Sequence, residues 1–490
     1  MGRRDERHSG RPRWRILPGL VVLAVLGAAF GAAELDAGPR WLGWDWSAPV
    51  DQPAAVDPPP GLDLPALRPA APVLTGGSTT TATVDADAVA AVVAPYLDRS
   101  DLGRRLTVAV APLGVGEPAY AVGAPRVTPA STTKLLTAAA ALAELGPDHT
   151  FATSVRAVPG TARIVLVGGG DPYLARAQPA ADEPPAYPVR ADLRTLATAT
   201  AKALRDAGRD RARLDYDASL FVGDRFNPAW PASYGPDGVV APISALWVDG
   251  GRPEQGTGRV DDPPRVAAEE FARALRRAGI RVGRVREGSA PAGGSELARV
   301  TSAPLHQIVE RALEVSDNET TEVLAHHVAL ARGEEASFAG AATAVVDALA
   351  EVGVDAAGDT LRDGSGLSRE NLIAPRTLLG VLAAAAERPD LRAVLTGLPV
   401  AGATGSLSLR FDTGDPAGLG AVRAKTGTLT GVHGLAGVTL DANGTPLAVV
   451  ALADRVRAPG GIGSGGVEQV IARQRVDELL ADLAACRCSG

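Results

Sequence analysis

The stretch Pro129-Ala130-Ser131-Thr132-Thr133-Lys134-Leu135-Leu136 constrains this chain more than any other. It reads Ser-x-x-Lys and runs directly into an alanine- and leucine-rich segment ending at Gly146. Helical residues at i and i+3 lie on one face. A helix beginning at Ser131 therefore sets the Ser131 hydroxyl beside the Lys134 amine at its N-terminus. Serine is a poor nucleophile until a neighbouring base takes its proton, and a lysine shielded from water is such a base. A serine N-cap followed by a solvated lysine fits the same residues, so the remainder of the chain has to decide.

Composition bears on that decision through lysine. Lys and Arg total 49, yet only Lys134, Lys202 and Lys425 are lysines. Asparagine is nearly as rare, at Asn227, Asn318, Asn371 and Asn443. Arginine serves wherever charge alone is needed, but it cannot lose its proton near neutral pH, whereas a desolvated lysine can. Lys134 and Lys425 thus become candidates for proton chemistry, while Lys202 lies in an ordinary helical pattern. The net charge of -7, with no strong basic patch expected outside the extreme N-terminus, argues against nucleic acid as a partner. The two cysteines, Cys486 and Cys488, read as a frayed tail, too few for structural zinc.

Residues 1–15 hold Arg3, Arg4, Arg7, Arg11, Arg13 and Arg15, and an apolar run follows over 16–33. This is a secretory signal or a membrane anchor, with membrane contact through 16–33 if it is uncleaved. Gly31 and Ala33 favour cleavage; Trp41, Trp44 and Trp46 favour a retained anchor. Either way the remainder is exported. Positions 34–83 form a Pro-rich linker. From Val84 the pattern predicts a helix over 86–97, a strand over 105–111 with a hairpin partner at 119–122, and then the Ser131 helix. Between 151 and 299, strands are expected at 163–167, 213–221, 243–248 and 280–285, and helices at 191–207 and 266–278, an α/β insertion with its own core. The glycines 168–170 end a strand without a following lysine, so they read as a tight turn, not a phosphate cradle. Helices follow at 305–313, 319–331, 378–386 and 467–483. Strands at 434–440 and 446–452 flank the Asn443-Gly444 turn. His326 and His327 point about 100° apart on a helix and cannot chelate one ion together, so they read as structural.

Three short motifs stand in order: Ser131-x-x-Lys134, Ser316-Asp317-Asn318 and Lys425-Thr426-Gly427. Each alone is cheap; a helix N-cap explains the second and a turn into a strand explains the third. Together they match the three-motif set of serine penicillin-recognising enzymes. With Gly169-Gly170-Asp171-Pro172, the 217–221 segment and Asp363-Gly364-Ser365-Gly366-Leu367-Ser368-Arg369, the chain resembles the D-alanyl-D-alanine carboxypeptidase/endopeptidase family, the class C low-molecular-mass penicillin-binding proteins.

That resemblance implies an α/β, multidomain fold. A serine β-lactamase/transpeptidase-like domain, an antiparallel sheet with helices on both faces, comprises 84–150 and 300–485. α/β domains are inserted at 151–299, between the first and second motifs. It also implies a cell-envelope serine DD-peptidase on the outer face of the cytoplasmic membrane or in the wall. Its substrates are peptidoglycan stem peptides ending in D-Ala-D-Ala, and β-lactams are inhibitors. Ser131 is then the nucleophile and Lys134 its base. Ser316 and Lys425 pass a proton to the leaving amine, and Asn318 binds the substrate amide and helps hold Lys134. Thr426 and Thr428 meet the terminal carboxylate, and Gly427 allows close approach of substrate. No cofactor and no metal are implied. A catalytically idle peptidoglycan-binding scaffold and a β-lactamase are the other functions this fold allows.

Overall fold

The computed structural model describes residues 83–457 and 467–490, apart from positions 104, 181, 182 and 292. The expected signal or anchor over 1–33 and almost all of the expected linker lie outside the described residues. Among the described residues, no helix is long and apolar enough to cross a membrane.

The chain enters through α1 (Ala86–Leu97), capped by the Asp85 carboxylate. Strand β1 (Leu106–Pro112) follows, then β2 (Tyr120–Val122) and helix α2 (Thr133–Leu145). Later in the chain come β9 (Arg423–Leu429), β10 (Val432–Leu440) and β11 (Pro446–Ala453). These strands form a fully antiparallel sheet in the order β2-β1-β11-β10-β9. Strand side chains alternate between faces, and here both faces are buried. Val108 and Val110 of β1 join one apolar cluster with α1 and the C-terminal helix (Val467–Ala485). Ala109 and Ala111 join another, with α2 and the central helices. The third motif sits on β9, the edge strand nearest those helices' cleft.

A second sheet is built from β3 (Ala152–Ala157), β4 (Arg163–Val167), β5 (Arg211–Asp217), β6 (Arg281–Val282), β7 (Arg286–Glu287) and β8 (Glu296–Thr301). Its order is β6-β5-β4-β3-β8, with β7 also on β5. The β4–β5, β5–β6 and β5–β7 pairs are parallel. Helices α3 (Leu193–Asp206) and α4 (Pro263–Arg277) cover one face, with Leu196, Leu204, Phe271 and Leu275 packed on Ile164, Leu166 and Leu214. Next come α5 (Leu305–Val315), α6 (Asn318–Ala331), α7 (Phe338–Glu351) and α8 (Pro375–Glu387). Every residue of α6 from Glu319 to Ala329 is buried, so this helix is central.

Four local expectations are corrected. Residues 243–248 form no strand: Ile243 and Trp247 pack into one apolar cluster while Leu246 and Val248 pack into another. Their alternation marks two cores, not a sheet. Strand β6 holds two residues, because β5 offers only Arg211 and Ala212 as partners. The C-terminal tail is not frayed. Cys488 is buried and disulfide-bonded to Cys486, and its carbonyl accepts the Asp85 N–H at 2.8 Å. Finally, arginines separated along the chain do converge, on the outer edge of the second sheet, where parallel pairing sets Arg211 beside Arg281.

Candidate active site

Ser131 lies in a short 3-10 turn, Ala130–Thr132, that winds into α2. Ala130 enters it with a left-handed φ of 48°, which costs an L-residue about 1–2 kcal/mol. The Ser131 side chain makes no N-cap hydrogen bond. Its hydroxyl oxygen lies 2.9 Å from Lys134 Nζ.

Lys134 is fully buried. Besides Ser131 Oγ, its Nζ reaches Asn318 Oδ1 at 2.8 Å and the Ser365 carbonyl oxygen at 2.6 Å. Those two oxygens only accept. When Lys134 is neutral, its two N–H bonds go to them and the lone pair is left facing Ser131 Oγ. Burial pulls its pKa down to about 8, against the pull of Asp363, Glu322, Asp317 and Glu319.

The Ser365 carbonyl is itself held from two sides. Glu322, fully buried on α6, accepts the N–H of Gly364 at 3.1 Å and of Ser365 at 2.8 Å. Asp363 accepts from Gly366 N, Ser368 N, Asn371 Nδ2 and Trp230 Nε1 at 2.6–2.9 Å. Burial, with the Asp363 charge, pushes the Glu322 carboxyl up to about 8.

The second motif turns between two helices. Ser316 ends α5 in the left-handed conformation, φ 59° and ψ 45°. Asp317 then caps α6, its carboxylate accepting the Thr320 N–H at 3.0 Å. Asn318 opens α6, so its Oδ1 meets Lys134 while its Nδ2 donates to the Val239 carbonyl at 3.0 Å. In this arrangement the Asn318 amide is spent on the cleft wall.

On β9, Lys425 is fully buried and donates to Ser316 Oγ at 2.9 Å and to the Thr426 carbonyl at 3.0 Å. Burial, with the nearby charges of Lys134 and Arg410, holds its pKa well below the usual lysine value. Thr426 Oγ1 meets Ser406 Oγ at 3.0 Å, whereas Thr428 is exposed. A Cβ on Gly427 would stand 2.8 Å from the Pro129 carbonyl oxygen and 3.1 Å from Thr132 Cγ2. The glycine thus lets β9 close against the Ser131 turn, a contact within the protein itself.

The eight residues singled out in the sequence converge. Ser131, Ser316, Asn318, Thr426 and Thr428 line one cleft of about 420 Å³, with Tyr234, Val239 and Leu367. Lys134 and Lys425 sit behind its serines, and Gly427 braces its floor. A larger open groove of about 720 Å³ beside α7 contains none of them. Glu322, Tyr234, Val239 and Ser406 escaped the sequence reading. Only the Asp363–Arg369 motif hinted at the loop that holds Lys134. His326 and His327 are structural. Their ring nitrogens meet the Glu322 and Gly170 carbonyls at 2.8 and 3.0 Å, and burial lowers their pKa values to about 4 and about 3.

A profile of the D-Ala-D-Ala carboxypeptidase 3 (S13) family matches residues 89–258 and 252–461. A carboxypeptidase of Mycobacterium tuberculosis is 35% identical over 88% of this chain and 91% of its own. Carboxypeptidase DacB of Mycolicibacterium smegmatis is 34% identical over 97% of this chain and 99% of its own. Among solved structures, penicillin binding protein 4 of Haemophilus influenzae superposes with a TM-score of 0.64 at 22% identity, covering 80% of this chain and 99% of that one. This chain therefore belongs to the D-Ala-D-Ala carboxypeptidase 3 (S13) family and is a serine-type carboxypeptidase.

Proposed function

We propose that Ser131 attacks the carbonyl of a terminal D-Ala-D-Ala peptide on a peptidoglycan stem, forming an acyl-enzyme and releasing D-alanine. One observation carries this reading: Lys134 Nζ lies 2.9 Å from Ser131 Oγ, and its other two contacts are acceptors only. Neutral Lys134 takes the serine proton as the C–O bond forms. The Ser131 and Thr428 N–H groups receive the oxyanion; one such donor is worth about 3 kcal/mol. As the C–N bond breaks, the proton reaches the leaving amine through Ser316, backed by Lys425. Thr426 and Thr428 hydroxyls meet the substrate carboxylate, whose charge favours protonated Lys425. Water then attacks the acyl carbonyl and frees Ser131.

A β-lactam offers a similar carbonyl and carboxylate, so it acylates the same serine and leaves slowly. The name of the Haemophilus protein, penicillin binding protein 4, supports that likeness. Endopeptidase cleavage of cross-links uses the same steps with a longer leaving amine. The catalytic fold comprises 84–150 and 300–485, with 151–299 inserted. The chain works in the cell envelope, exported by its N-terminal segment, with membrane contact through 16–33 where that segment is retained.

The test is labelling with a fluorescent penicillin, comparing the parent with Ser131→Ala, followed by D-alanine release from a stem-peptide analogue. Stable labelling of the parent alone, with D-alanine release, is the expected outcome. No labelling points to an idle scaffold, and rapid drug turnover to a β-lactamase; either overturns the proposal.

A further inference from the structure

We propose that the outer edge of the second sheet is an arginine-lined docking face for the carboxylates of polymeric peptidoglycan, distinct from the catalytic cleft. The inference rests on the peptidase reading above and adds a second contact with the same polymer.

The charge there is segregated sharply for a chain of net charge -7. Residues 273–286 hold six arginines and no carboxylate, and residues 205–213 hold four arginines against Asp206 and Asp210. Parallel pairing brings the two segments together. Arg211 is opposite Arg281, and one step along the same face of β5, Arg213 is opposite Arg163. Like charges set directly opposite each other destabilise a sheet. Local carboxylates answer only part of this: Asp210 pairs with Arg281, Asp215 with Arg163, and Glu287 with Arg225. Among the described residues, Arg211, Arg213, Arg277, Arg284 and Arg286 are exposed and form no carboxylate pair. Arg211, Arg276 and Arg281 also line an open groove of about 670 Å³, floored by Ala212, Ile280 and Val282.

Such a face lacks its counter-anion, and a guanidinium fork matches a carboxylate in a bidentate manner. A membrane surface fits less well. Basic elements that bind membranes add apolar anchors, and none of the exposed large hydrophobic residues falls within 205–213 or 273–286. Position points to the polymer. Arg211 begins β5, and the segment bearing the cleft residues Tyr234 and Val239 follows its far end, about 20 Å along a strand of this length. A single stem peptide in the cleft leaves the arginine face empty, whereas a polymer bearing many carboxylates engages both.

The test uses the full chain, the double variant Arg211→Gln/Arg284→Gln, and the charge reversal Arg277→Glu/Arg284→Glu. Co-sedimentation is measured with peptidoglycan stripped of phosphodiester polymers, with a soluble phosphodiester polymer and with phosphatidylglycerol vesicles. D-alanine release is measured on polymeric peptidoglycan and on a soluble stem peptide. The parent should sediment with stripped peptidoglycan and be released near 1 M salt, where exposed charges are screened within about 3 Å. Both variants should raise KM on the polymer about three- to tenfold, the scale of one or two exposed ion pairs, and leave kcat/KM on the soluble peptide unchanged. An unchanged polymer KM, an equal loss on both substrates, or binding to vesicles or phosphodiester but not to stripped peptidoglycan overturns the proposal. If the parent releases D-alanine from neither substrate, the peptidase reading fails, and co-sedimentation still decides the docking face.

Discussion

The base proposed for Ser131 is one buried amine held by two acceptor oxygens and the serine hydroxyl itself. With a pKa of about 8, about a tenth of Lys134 is neutral at pH 7. In the proposed mechanism the neutral form is the reactive one, so penicillin acylation should rise about tenfold per pH unit below 8 and level off above it. Stopped-flow labelling across pH 5–9 reads this limb directly. Lys134→Arg keeps the charge but loses the removable proton, and should lower acylation by about 10²–10⁴-fold. Glu322 acts one bond further back, as a positioning residue. In Glu322→Gln, the amide accepts from only one of the Gly364 and Ser365 N–H groups and turns a donor toward the other. The Ser365 carbonyl loosens, and kcat/KM should fall about tenfold, the scale of one lost hydrogen bond to a charged group. With its own pKa pushed up to about 8, Glu322 is largely protonated along the acid limb, so the substitution should lower the plateau of the profile and leave the limb near pH 8. A plateau equal to the parent's would leave Glu322 only a packing role. The sequence singles out Ser131, Lys134, Ser316 and Lys425 because each hydroxyl or amine sits in a motif of fixed spacing. It hid Glu322 because nothing local distinguishes a carboxylate that spends both oxygens on a distant loop from one in solvent.

At the scale of elements, legibility followed periodicity. Helices α2, α3 and α4, and the strands around Asn443-Gly444, stood out because one face or both are regularly apolar. Helix α7 (Phe338–Glu351) went unread; its run of alanines and valines carries little contrast between faces. The edge strand β9 shows how one residue sets the distance between elements. A Cβ at Gly427 meets the Pro129 carbonyl, which is backbone and cannot swing aside. Gly427→Ala should therefore push β9 away from the Ser131 turn at a cost of about 1–3 kcal/mol. Penicillin labelling should be lost in variant protein that still unfolds cooperatively by calorimetry; full labelling would show that the strand can retreat without disturbing the serine. Gly366 is the harsher case. It has φ +84°, and an added Cβ would lie 1.9 Å from the Ala130 carbonyl oxygen, so Gly366→Ala should abolish folding outright.

Across the whole molecule, the segment following β5 is not an appendage to the site but one of its walls. Val239 accepts from Asn318, Trp230 donates to Asp363, and Asn227 donates to the Arg362 carbonyl at 2.7 Å. The sequence reading expects an insertion between the motifs, but it could not show this closure, since each contact joins residues about 80 or more positions apart. The Arg259–Glu319 pair tests how strongly the closure is held. Arg259 Nε lies 2.5 Å from Glu319 Oε1, Glu319 is 3% exposed, and the same oxygen accepts the Ala241 N–H at 3.2 Å. Glu319 is next to Asn318, so the pair ties the wall to the residue that touches Lys134. Arg259→Ala leaves a buried carboxylate without its cation and should destabilise the protein by about 3–5 kcal/mol, read by denaturant unfolding. Replacing both partners, Arg259→Leu with Glu319→Leu, removes the unpaired charge and should recover most of that loss. If the pair serves only stability, acylation of Ser131 returns with it. If it holds the wall in register, the double variant is stable yet still labels slowly, because Val239 no longer fixes the Asn318 amide and Lys134 loses an acceptor that its neutral form requires.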